Sequence, residues 1–423
     1  MLTLKQINEN KEDVIARLAI KNFEGKDLVE EVIHLDTQRK TIQRKLDSLL
    51  AEQNALSKEI GNLFKQGKTD EANEAKQKVS DLKEDSKELA TEMDNTEKSI
   101  SSILLKIPNL PHASVPKGKT ADDNVEVKSG GTIPSLPEDA KPHWELAKNL
   151  NLIDFELGVK ITGSGFPVYK GKGAKLQRAL INFFLEENIA AGYSEMMPPL
   201  MVNEDSAYGT GQLPDKDGQM YHVQTDNFYL IPTAEVPLTN VFRDVILNAS
   251  DFPVKLTGYT PCFRREAGSY GKDVRGLNRL HQFDKVEIVQ IEHPSKSYDT
   301  LDEMVAHVEG ILQKLELPYR ILRLCGGDIS FTSALTYDFE VFSTAQEKWL
   351  EVSSVSNFES FQANRLMLRY REEGEKRNQL AHTLNGSSLA LPRVLAALLE
   401  NNQDETGIEI PKALQPFCGF DRI

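Results

Sequence analysis

The chain has 423 residues, more than one compact domain usually holds, so two domains are expected. Its composition, 39% apolar and 27% charged, is typical of a globular protein. Neither a secretory leader nor an apolar run long enough to cross a bilayer is visible, so we expect a cytoplasmic protein without a membrane partner. The net charge of −14 argues against broad non-specific binding to nucleic acid, although a local basic strip could still hold such a partner.

The first long pattern is an apolar repeat with alternating spacings of four and three residues, over 28–63 and again over 72–103, with Gly67 between. A period of 3.5 residues held over several heptads predicts a coiled coil, and glycine favours the point where a helix stops. We predict an antiparallel helical hairpin over about 27–105, inside an N-terminal domain of residues 1–107. From composition alone this hairpin could also be a dimerisation coiled coil or a spacer, because it carries slightly more acidic than basic residues.

Residues 108–142 are rich in Pro, Gly, Lys and Asp and are interpreted as linker and loop. Residues 143–423 are predicted to form an α+β domain, with a largely antiparallel sheet flanked by helices. The predicted helices cover 174–191, about 234–248 and 297–316, and the predicted strands cover 220–223, 227–231, 257–264, 282–291, 318–324, 334–342 and 348–355. A last strand, a turn of small residues and an apolar helix are predicted within 381–403. No GxGxxG or Walker A loop follows a strand, which excludes those two nucleotide folds.

The three cysteines, Cys262, Cys325 and Cys418, lie far apart in the sequence. They form neither a disulfide framework nor a paired metal signature, so buried reduced thiols are expected. No cluster of Cys and His is available for a zinc site, and no zinc is expected.

The segment from Pro261 to Glu292 gives the strongest chemical signal. Side chains two or four residues apart on a strand share a face, so Arg264 lies with Glu266 and Phe283 lies with Glu287. If the two strands pair, one face gathers a guanidinium, an aromatic ring and carboxylates. Such a face suits the phosphate, the base and the amine of a nucleotide. The alternative is a solvent-exposed hairpin whose charges are merely solvated.

The loop inside this segment combines glycine with basic residues. A mobile basic loop over a polar strand face is typical of a phosphate lid, because glycine permits unusual backbone angles and arginine binds phosphate. The loop glycines are Gly268, Gly271 and Gly276, and they lie among Arg265, Lys272, Arg275 and Arg279.

Several stretches together carry a resemblance to a known family. The helix 174–191, followed by Gly192 and Pro198-Pro199, is similar to class II motif 1. FRREAGSYGKDVRGLNRLHQFDKVE is similar to motif 2, and NGSSLALPRVLAALLENNQ is similar to motif 3. The chain also contains counterparts of a TAE element and of an E-[IV]-S-S element, at Thr233-Ala234-Glu235 and Glu351-Val352-Ser353-Ser354. Over essentially its whole length it resembles class II aminoacyl-tRNA synthetases, and within them the seryl-tRNA synthetases of the bacterial type.

Two positions depart from the commonest family pattern. Arg265 stands where the motif usually has Ser, and Ser388 stands where motif 3 often has Gly. Arg265 should face away from Arg264 and Glu266, so no loss of activity is expected. The motif 3 arginine is present as Arg393.

The resemblance implies an ATP site. Arg264, Glu266 and Arg393 are the expected catalytic residues: Arg264 at the α-phosphate, Glu266 accepting from the adenine amine, and Arg393 clamping adenine and the γ-phosphate side. Phe283 would stack on adenine. Glu351 and Ser354 would hold Mg²⁺, which suits a carboxylate combined with phosphate oxygens. The whole expected ATP-binding set is Arg264, Arg265, Glu266, Phe283, Glu351, Val352, Ser353, Ser354 and Arg393.

The resemblance also implies a serine site. A small hydroxyl substrate is best distinguished by polar groups that alanine or glycine would leave unpaired. An ammonium needs anionic acceptors, which glutamates supply. The expected serine-binding residues are Thr233, Ala234, Glu235, Glu287 and Ser387, with Glu287 and Ser387 nearer the hydroxyl.

The implied reaction is ATP-dependent activation of L-serine to seryl-adenylate, followed by transfer to the 3′ end of tRNA(Ser), and of tRNA(Sec) as well. The N-terminal arm would bind the tRNA, and motif 1 would build a homodimer. Two alternatives remain open: a paralogue that charges a carrier protein, and a coiled-coil interaction protein with an inactive synthetase-like domain. The first tends to lack a tRNA arm. The second predicts loss of Arg264, Glu266, Glu351 or Arg393, and all four are present.

Overall fold

The computed structural model describes residues 1–215, 218–266 and 275–423. The chain forms two compact units, one of Met1–Ala19 with Phe23–Pro108 and one of Ile20–Asn22 with Asn109–Ile423. Within the described residues, no helix has both the length and the apolarity that a bilayer span requires.

The first unit is helical and is dominated by two long helices. Gly67, with φ 74°, lies in the short connection between them, where a left-handed backbone favours glycine. Nearby, Lys76 Nζ is 4.7 Å from the centre of the Phe64 ring, so the two helices run antiparallel from the turn. The predicted helical hairpin is confirmed. The helices are α1 (Leu4–Glu9), α2 (Lys11–Ile20), α3 (Lys26–Lys65) and α4 (Thr69–Leu104).

The second unit combines helices with short and long strands. Its helices are α5 (His143–Asn149), α6 (Phe155–Ile161), α7 (Gly171–Ala190), α8 (Glu204–Thr210), α9 (Glu235–Asn240), α10 (Ser297–Lys314), α11 (Phe361–Leu366), α12 (Leu391–Asn401) and α13 (Gln415–Cys418). Its strands are β1 (Val125–Gly130), β2 (Ile153–Asp154), β3 (Val168–Tyr169), β4 (Ser194–Glu195), β5 (Met201–Val202), β6 (His222–Val223), β7 (Phe228–Leu230), β8 (Ile246–Asn248), β9 (Val254–Phe263), β10 (Gln282–Glu292), β11 (Tyr319–Arg323), β12 (Leu335–Ser343), β13 (Lys348–Asn357), β14 (Arg369–Arg371), β15 (Asn378–Leu380), β16 (His382–Ala390), β17 (Gln403–Asp404) and β18 (Gly407–Ile408).

Eight of these strands form the main sheet, in the order β1-β11-β12-β13-β16-β10-β9-β4. Every neighbouring pair in it is antiparallel except β4 with β9. The predicted α+β class with a largely antiparallel sheet is therefore confirmed.

The two faces of this sheet differ in polarity because successive side chains alternate between them. Ile288, Phe339 and Val355 belong to one apolar cluster with buried side chains of α7, α10 and α12. The opposite face, called the polar face below, carries Lys285, Glu287, Ser354, Ser387 and Asp338, as the strand registers require. The helices thus support the sheet from behind and leave the polar face for chemistry.

Two predicted elements are corrected by the structure. The segment 108–142, predicted as linker and loop, contains β1, which pairs with β11. Nearly every residue of β1 is exposed, so it lacks the apolar alternation by which a strand is recognised. The helix predicted at about 234–248 is short: α9 ends at Asn240, Asp244 turns the chain with φ 61°, and β8 follows.

The small-residue turn predicted in the C-terminal part is also absent, because β16 continues through it. A Cβ on Gly386 would lie 3.1 Å from Val355 of the neighbouring strand. The small side chain therefore serves close strand packing here rather than a turn.

Candidate active site

Arg264 and Phe283 meet at the end of the β9–β10 hairpin where the connecting loop begins and returns. The register pairs Phe283 with Cys262, so Arg264, two residues further on, lies on the same face as the ring. Arg264 Cζ is 5.3 Å from the centre of the Phe283 ring. Arg265 is exposed, whereas Arg264 is partly buried. A planar cation and an aromatic ring thus lie side by side at one end of the polar face.

Glu266 follows directly and forms an ion pair with Arg279, from the returning end of the loop. Its backbone is left-handed, with φ 48°. The loop between these two residues includes 267–274, so the predicted lid residues Gly268, Gly271 and Lys272 lie outside the described residues.

Three polar side chains form a buried cluster beside β10, and two of them, Thr233 and Glu287, were predicted from the sequence. Lys285 Nζ lies 2.5 Å from Glu287 Oε2 and 2.8 Å from Thr233 Oγ1. Thr233 Oγ1 in turn donates to Glu287 Oε2 over 3.1 Å. All three residues are at most 6% exposed. Burial raises the pKa of Glu287, while the adjacent Lys285 ammonium and the Thr233 hydroxyl oppose that rise.

Glu235 lies beside this cluster at the start of α9. Gln362 Nε2 donates to Glu235 Oε1 over 2.7 Å, and Thr383 Oγ1 donates to Gln362 Oε1 over 2.7 Å. Burial and the neighbouring Glu287 carboxylate raise the pKa of Glu235 to about 7. This carboxyl group therefore changes charge near neutral pH, which suits a group that accepts an ammonium ion.

Ser387 and Ala234 complete the predicted serine-binding set. The register of β10 with β16 places Ser387 directly opposite Glu287. Ser387 is 7% exposed, and its carbonyl oxygen accepts from Ser353 Oγ over 2.6 Å. Ala234 is fully buried at the N-terminal end of α9. The structure thus gathers Thr233, Glu235, Glu287 and Ser387 at one place, although they come from three separate stretches of sequence.

Two carboxylates and a hydroxyl lie on the polar face of β12 and β13. Asp338 pairs with Ser354 in the register, and a bulge beside Phe339 brings Glu351 onto the same face. Asp338 Oδ1 is buried and has no hydrogen-bond partner among the residues that the structure describes. Burial, followed by the nearby Glu351 carboxylate, raises the pKa of Asp338 well above its usual range, while the Ser354 hydroxyl opposes the rise.

This donor set fits a magnesium ion that arrives with phosphates. In the described part of the chain, no group of three or more His, Cys, Asp or Glu side chains could hold a metal alone. Mg²⁺ is commonly held by one or two carboxylates together with substrate phosphate oxygens. An orphaned buried oxygen on Asp338, beside the half-exposed Glu351, meets that requirement.

Arg393 lies in the first turn of α12, after Pro392, which suits a first helical turn. Its Nε donates to the carbonyl oxygen of Asn278 over 2.9 Å, and its Nη1 donates to the carbonyl oxygen of Glu351 over 2.9 Å. The same Nη1 is 3.6 Å from Glu351 Oε2. Arg393 thus joins the returning end of the β9–β10 loop to Glu351 of β13.

Two residues of the predicted ATP-binding set, Val352 and Ser353, have side chains that do not line the polar face. Val352 packs in the apolar core behind the sheet, and the buried Ser353 bonds to Ser387 as described. Their side chains therefore stabilise the strand rather than line the polar face.

Three residues of the site were not predicted: Lys285, Gln362 and Asp338. Lys285 and Asp338 could have been predicted from the alternation of side chains along their strands. Lys285 lies two residues before Glu287, and Asp338 lies within a strand that is otherwise largely apolar. Gln362 belongs to the short helix α11, and its role depends on a contact across the fold that no local pattern shows.

The fold and the site together define a class II aminoacyl-tRNA synthetase. The family profile described as "tRNA synthetase class II core domain (G, H, P, S and T)" matches residues 221–402, and the profile described as "Seryl-tRNA synthetase N-terminal domain" matches residues 1–111. The second match covers the arm and the first covers most of the polar face.

Comparison with whole proteins identifies the family within this class. The chain is 52% identical to the serine–tRNA ligase of Salinibacter ruber, over 100% of this chain and 99% of that protein. It is 48% identical to the serine–tRNA ligase of Hydrogenobaculum sp., over 99% of each. The crystal structure of seryl-tRNA synthetase from Pyrococcus horikoshii complexed with ATP is 34% identical, with a TM-score of 0.93, over 100% of this chain and 99% of that one. The chain belongs to the serine–tRNA ligase family.

Proposed function

We propose that this enzyme joins L-serine to ATP, giving seryl-adenylate and pyrophosphate, and then acylates the terminal 3′-hydroxyl of tRNA. A carboxylate oxygen of serine attacks the α-phosphorus, and the bond to the β-phosphate breaks. The observation that supports this most directly is the arrangement of the polar face. Cationic and aromatic groups for a nucleotide lie at one end, and a buried cluster of hydroxyl, lysine and glutamate groups lies further along.

At the nucleotide end, Phe283 offers its ring to adenine and Glu266 accepts from the adenine amine. Arg264 stabilises the charge that develops on the α-phosphate, because a fixed guanidinium binds phosphate oxygens in a planar, bidentate manner. Arg393 binds at the adenine and γ-phosphate side, and the exposed Arg265 stays outside the direct contacts.

Asp338, Glu351 and Ser354 would hold Mg²⁺ against the phosphates of ATP. When bound, this ion would neutralise part of the phosphate charge. The protein's own contribution is to place two carboxylates on adjacent strands, facing the nucleotide side.

At the serine end, Glu235 accepts the ammonium group when it is ionised. Glu287 and Ser387 face each other across β10 and β16 and bind the hydroxyl. Because Lys285 already pairs with Glu287, the hydroxyl donates to a carboxylate whose charge is balanced. Alanine and glycine would leave these buried groups without a partner, which gives selectivity by removing hydrogen bonds rather than by size.

The helical hairpin α3–α4 is proposed to bind tRNA(Ser), and tRNA(Sec) in addition. We also propose a homodimer built around α7 and the segment that follows it. Large apolar side chains are exposed there in succession, which is typical of an interface: Ile189, Met197, Leu200 and Met201. An enzyme that charges tRNA for translation works in the cytoplasm.

Charging of purified transcripts tests this proposal. The protein should esterify tRNA(Ser) with serine, and tRNA(Sec) as well, but should not charge a tRNA for alanine or threonine. Light scattering of the same preparation should give about twice the mass of one 47.5 kDa chain. Adenylate formation without transfer to either tRNA would contradict the proposed transfer step.

A further inference from the structure

A fully buried histidine lies behind the returning end of the β9–β10 loop. Leu277 N donates to His143 Nε2 over 2.8 Å, so Nε2 is the accepting nitrogen and the ring proton is on Nδ1. Nδ1 then donates to Glu400 Oε1 over 2.6 Å, and the backbone N–H of His143 donates to the same oxygen over 2.8 Å. A Cβ on Gly276 would lie 2.2 Å from the ring, so the loop backbone packs directly on it.

Glu400 continues the chain of hydrogen bonds towards the loop. Gln346 Nε2 donates to Glu400 Oε1 over 2.8 Å and to Ser343 Oγ over 3.0 Å, and Ser343 Oγ donates to Glu400 Oε2. The amide oxygen of Gln346 accepts from Asn278 Nδ2 over 2.9 Å. Each end of the Gln346 amide is therefore used, which fixes both its orientation and that of Asn278.

The last bond of the chain reaches a residue of the active site. The main-chain carbonyl oxygen of Asn278 accepts a hydrogen bond from Arg393 Nε over 2.9 Å. Arg393 and Glu400 are seven residues apart on α12 and so share a helix face. The network thus forms a closed loop, from Arg393 along one face of α12 to Glu400, and back through Gln346 and Asn278.

We propose that Gln346, held in place by Glu400 and His143, is a positioning residue for Arg393. Gln346 does not touch the polar face itself; it acts through Asn278, whose carbonyl oxygen sets the direction of the Arg393 guanidinium. Arg275, on the same loop end, lies with its guanidinium carbon 4.8 Å from the centre of the Trp144 ring, so α5 holds a second point of the loop. The consequence for ATP rests on the proposed role of Arg393.

The network gives Arg393 a defined position before ATP arrives. An arginine side chain loses considerable conformational entropy when it is ordered, and a guanidinium already fixed by the protein avoids that loss at the moment of binding. Removing the Gln346 amide leaves Asn278 free to turn. The Arg393 Nε–H bond then opens more often, although Arg393 itself is unchanged.

The test uses the full-length protein with Gln346→Met, which keeps the length of the side chain and removes its hydrogen bonds. Gln415→Met is the matched control, because Gln415 is also partly buried and its side-chain amide donates to the carbonyl oxygen of Ile410 rather than to the network. The first readout is hydrogen exchange of the Arg393 Nε–H group in ¹⁵N-arginine-labelled protein, with its signal identified by loss in Arg393→Lys. The second is the Kd for ATP.

We expect Gln346→Met to accelerate exchange at Arg393 Nε–H about tenfold. The Kd for ATP should rise by a similar factor, which is within the range of such indirect contacts. Glu400→Gln should act in the same direction, and Gln415→Met should change neither readout. In the Arg393→Lys background, Gln346→Met should raise the Kd for ATP less than about twofold, because the guanidinium that Gln346 positions is gone.

Unchanged exchange at Arg393 in Gln346→Met would overturn the proposal, whatever happens to ATP binding. Equal weakening of ATP in both backgrounds would also overturn it, since Gln346 would then act by another route. Accelerated exchange in Gln346→Met would support the positioning network. If the ATP affinity were at the same time unchanged in both Gln346→Met and Arg393→Lys, the result would contradict the proposed role of Arg393 in ATP binding.

Discussion

Lys285 and Glu287 form a buried ion pair, with Nζ and Oε2 2.5 Å apart, at the centre of the proposed serine site. The two residues are neighbours on one face of β10, and Thr233 bonds to both. A buried carboxylate without such a partner would take up a proton, because burial disfavours the charged form. Lys285 therefore keeps Glu287 available as a hydrogen-bond acceptor.

Replacement of Lys285 by Met should lower kcat/KM for serine by about a hundredfold or more and should destabilise the fold by about 3–5 kcal/mol, because Glu287 is left buried and unpaired. Pyrophosphate exchange at varied serine concentration measures the first effect, and urea unfolding measures the second. Lys255→Met, at the far end of the same hairpin, is the control and should leave serine kinetics unchanged. A Lys285→Met enzyme with normal KM for serine would exclude the pair from the site.

The raised pKa of Glu235 predicts a pH-dependent KM for serine. Only the ionised carboxylate attracts an ammonium group, and ionisation is lost as the pH falls through about 7. The KM for serine should therefore rise towards low pH, whereas the KM for ATP should not follow the same curve. In Glu235→Gln the KM for serine should be high and independent of pH. If that variant retains the wild-type pH curve, Glu235 is not the group responsible.

Asp338 gives a prediction about the magnesium requirement. Asp338→Asn replaces a carboxyl group that Mg²⁺ would bind in its ionised form, so the Mg²⁺ concentration for half-maximal exchange should rise about tenfold while the KM for serine stays constant. Chelation of Mg²⁺ should abolish exchange in both proteins. Glu309→Gln removes a buried carboxylate from α10, which accepts from Lys128, Gln313 and Tyr319, and should not alter the requirement. An unchanged requirement in Asp338→Asn would remove Asp338 from the metal site.

Adjacent arginines at the end of β9 should differ sharply in their effect. Arg264→Lys loses the planar fork that binds phosphate and should lower kcat by about 10²–10³-fold. Arg265→Ser restores the residue that is usual in the family, at an exposed position, and should leave kcat and the KM for ATP within about twofold. Comparable losses in both variants would show that the assignment by strand face is wrong.

The arm should be needed for tRNA and not for the adenylate. Deleting 46–88 and closing α3 to α4 with a short glycine-rich turn removes equal lengths from both helices. This variant should retain amino-acid-dependent pyrophosphate exchange and lose charging of tRNA, seen as a KM for tRNA raised at least about tenfold. If charging is unimpaired, the distal part of the hairpin does not bind tRNA.

The elements predicted correctly from the sequence are those in which an apolar or polar pattern repeats over many residues. The 3.5-residue repeat gave the α3–α4 hairpin, and alternation around Arg264 and Phe283 placed both on one strand face, as the structure has them. The strand β1 was not predicted because its residues are exposed on both faces. At Gly386 a small residue was interpreted as a turn, whereas packing against Val355 explains it.

Some contacts at the site join distant segments, and sequence reasoning missed these. Gln362 reaches Glu235 from 127 positions away, and Asn278 reaches Arg393 from 115 positions away. No local period encodes such pairs. Lys285 was within reach of the alternation argument, since its partner Glu287 had been identified from the same strand.

Amino-acid-dependent ATP–pyrophosphate exchange tests the central claim most directly. The purified full-length protein would be assayed with serine, threonine, alanine, glycine and cysteine, each without and with bulk tRNA. Exchange with serine should exceed that with every other amino acid by about a hundredfold or more, because the buried hydroxyl-binding groups reject substrates that leave them unpaired. No exchange with serine, by folded protein with Mg²⁺ and ATP present, would contradict the account and would favour a coiled-coil interaction protein with an inactive synthetase-like domain.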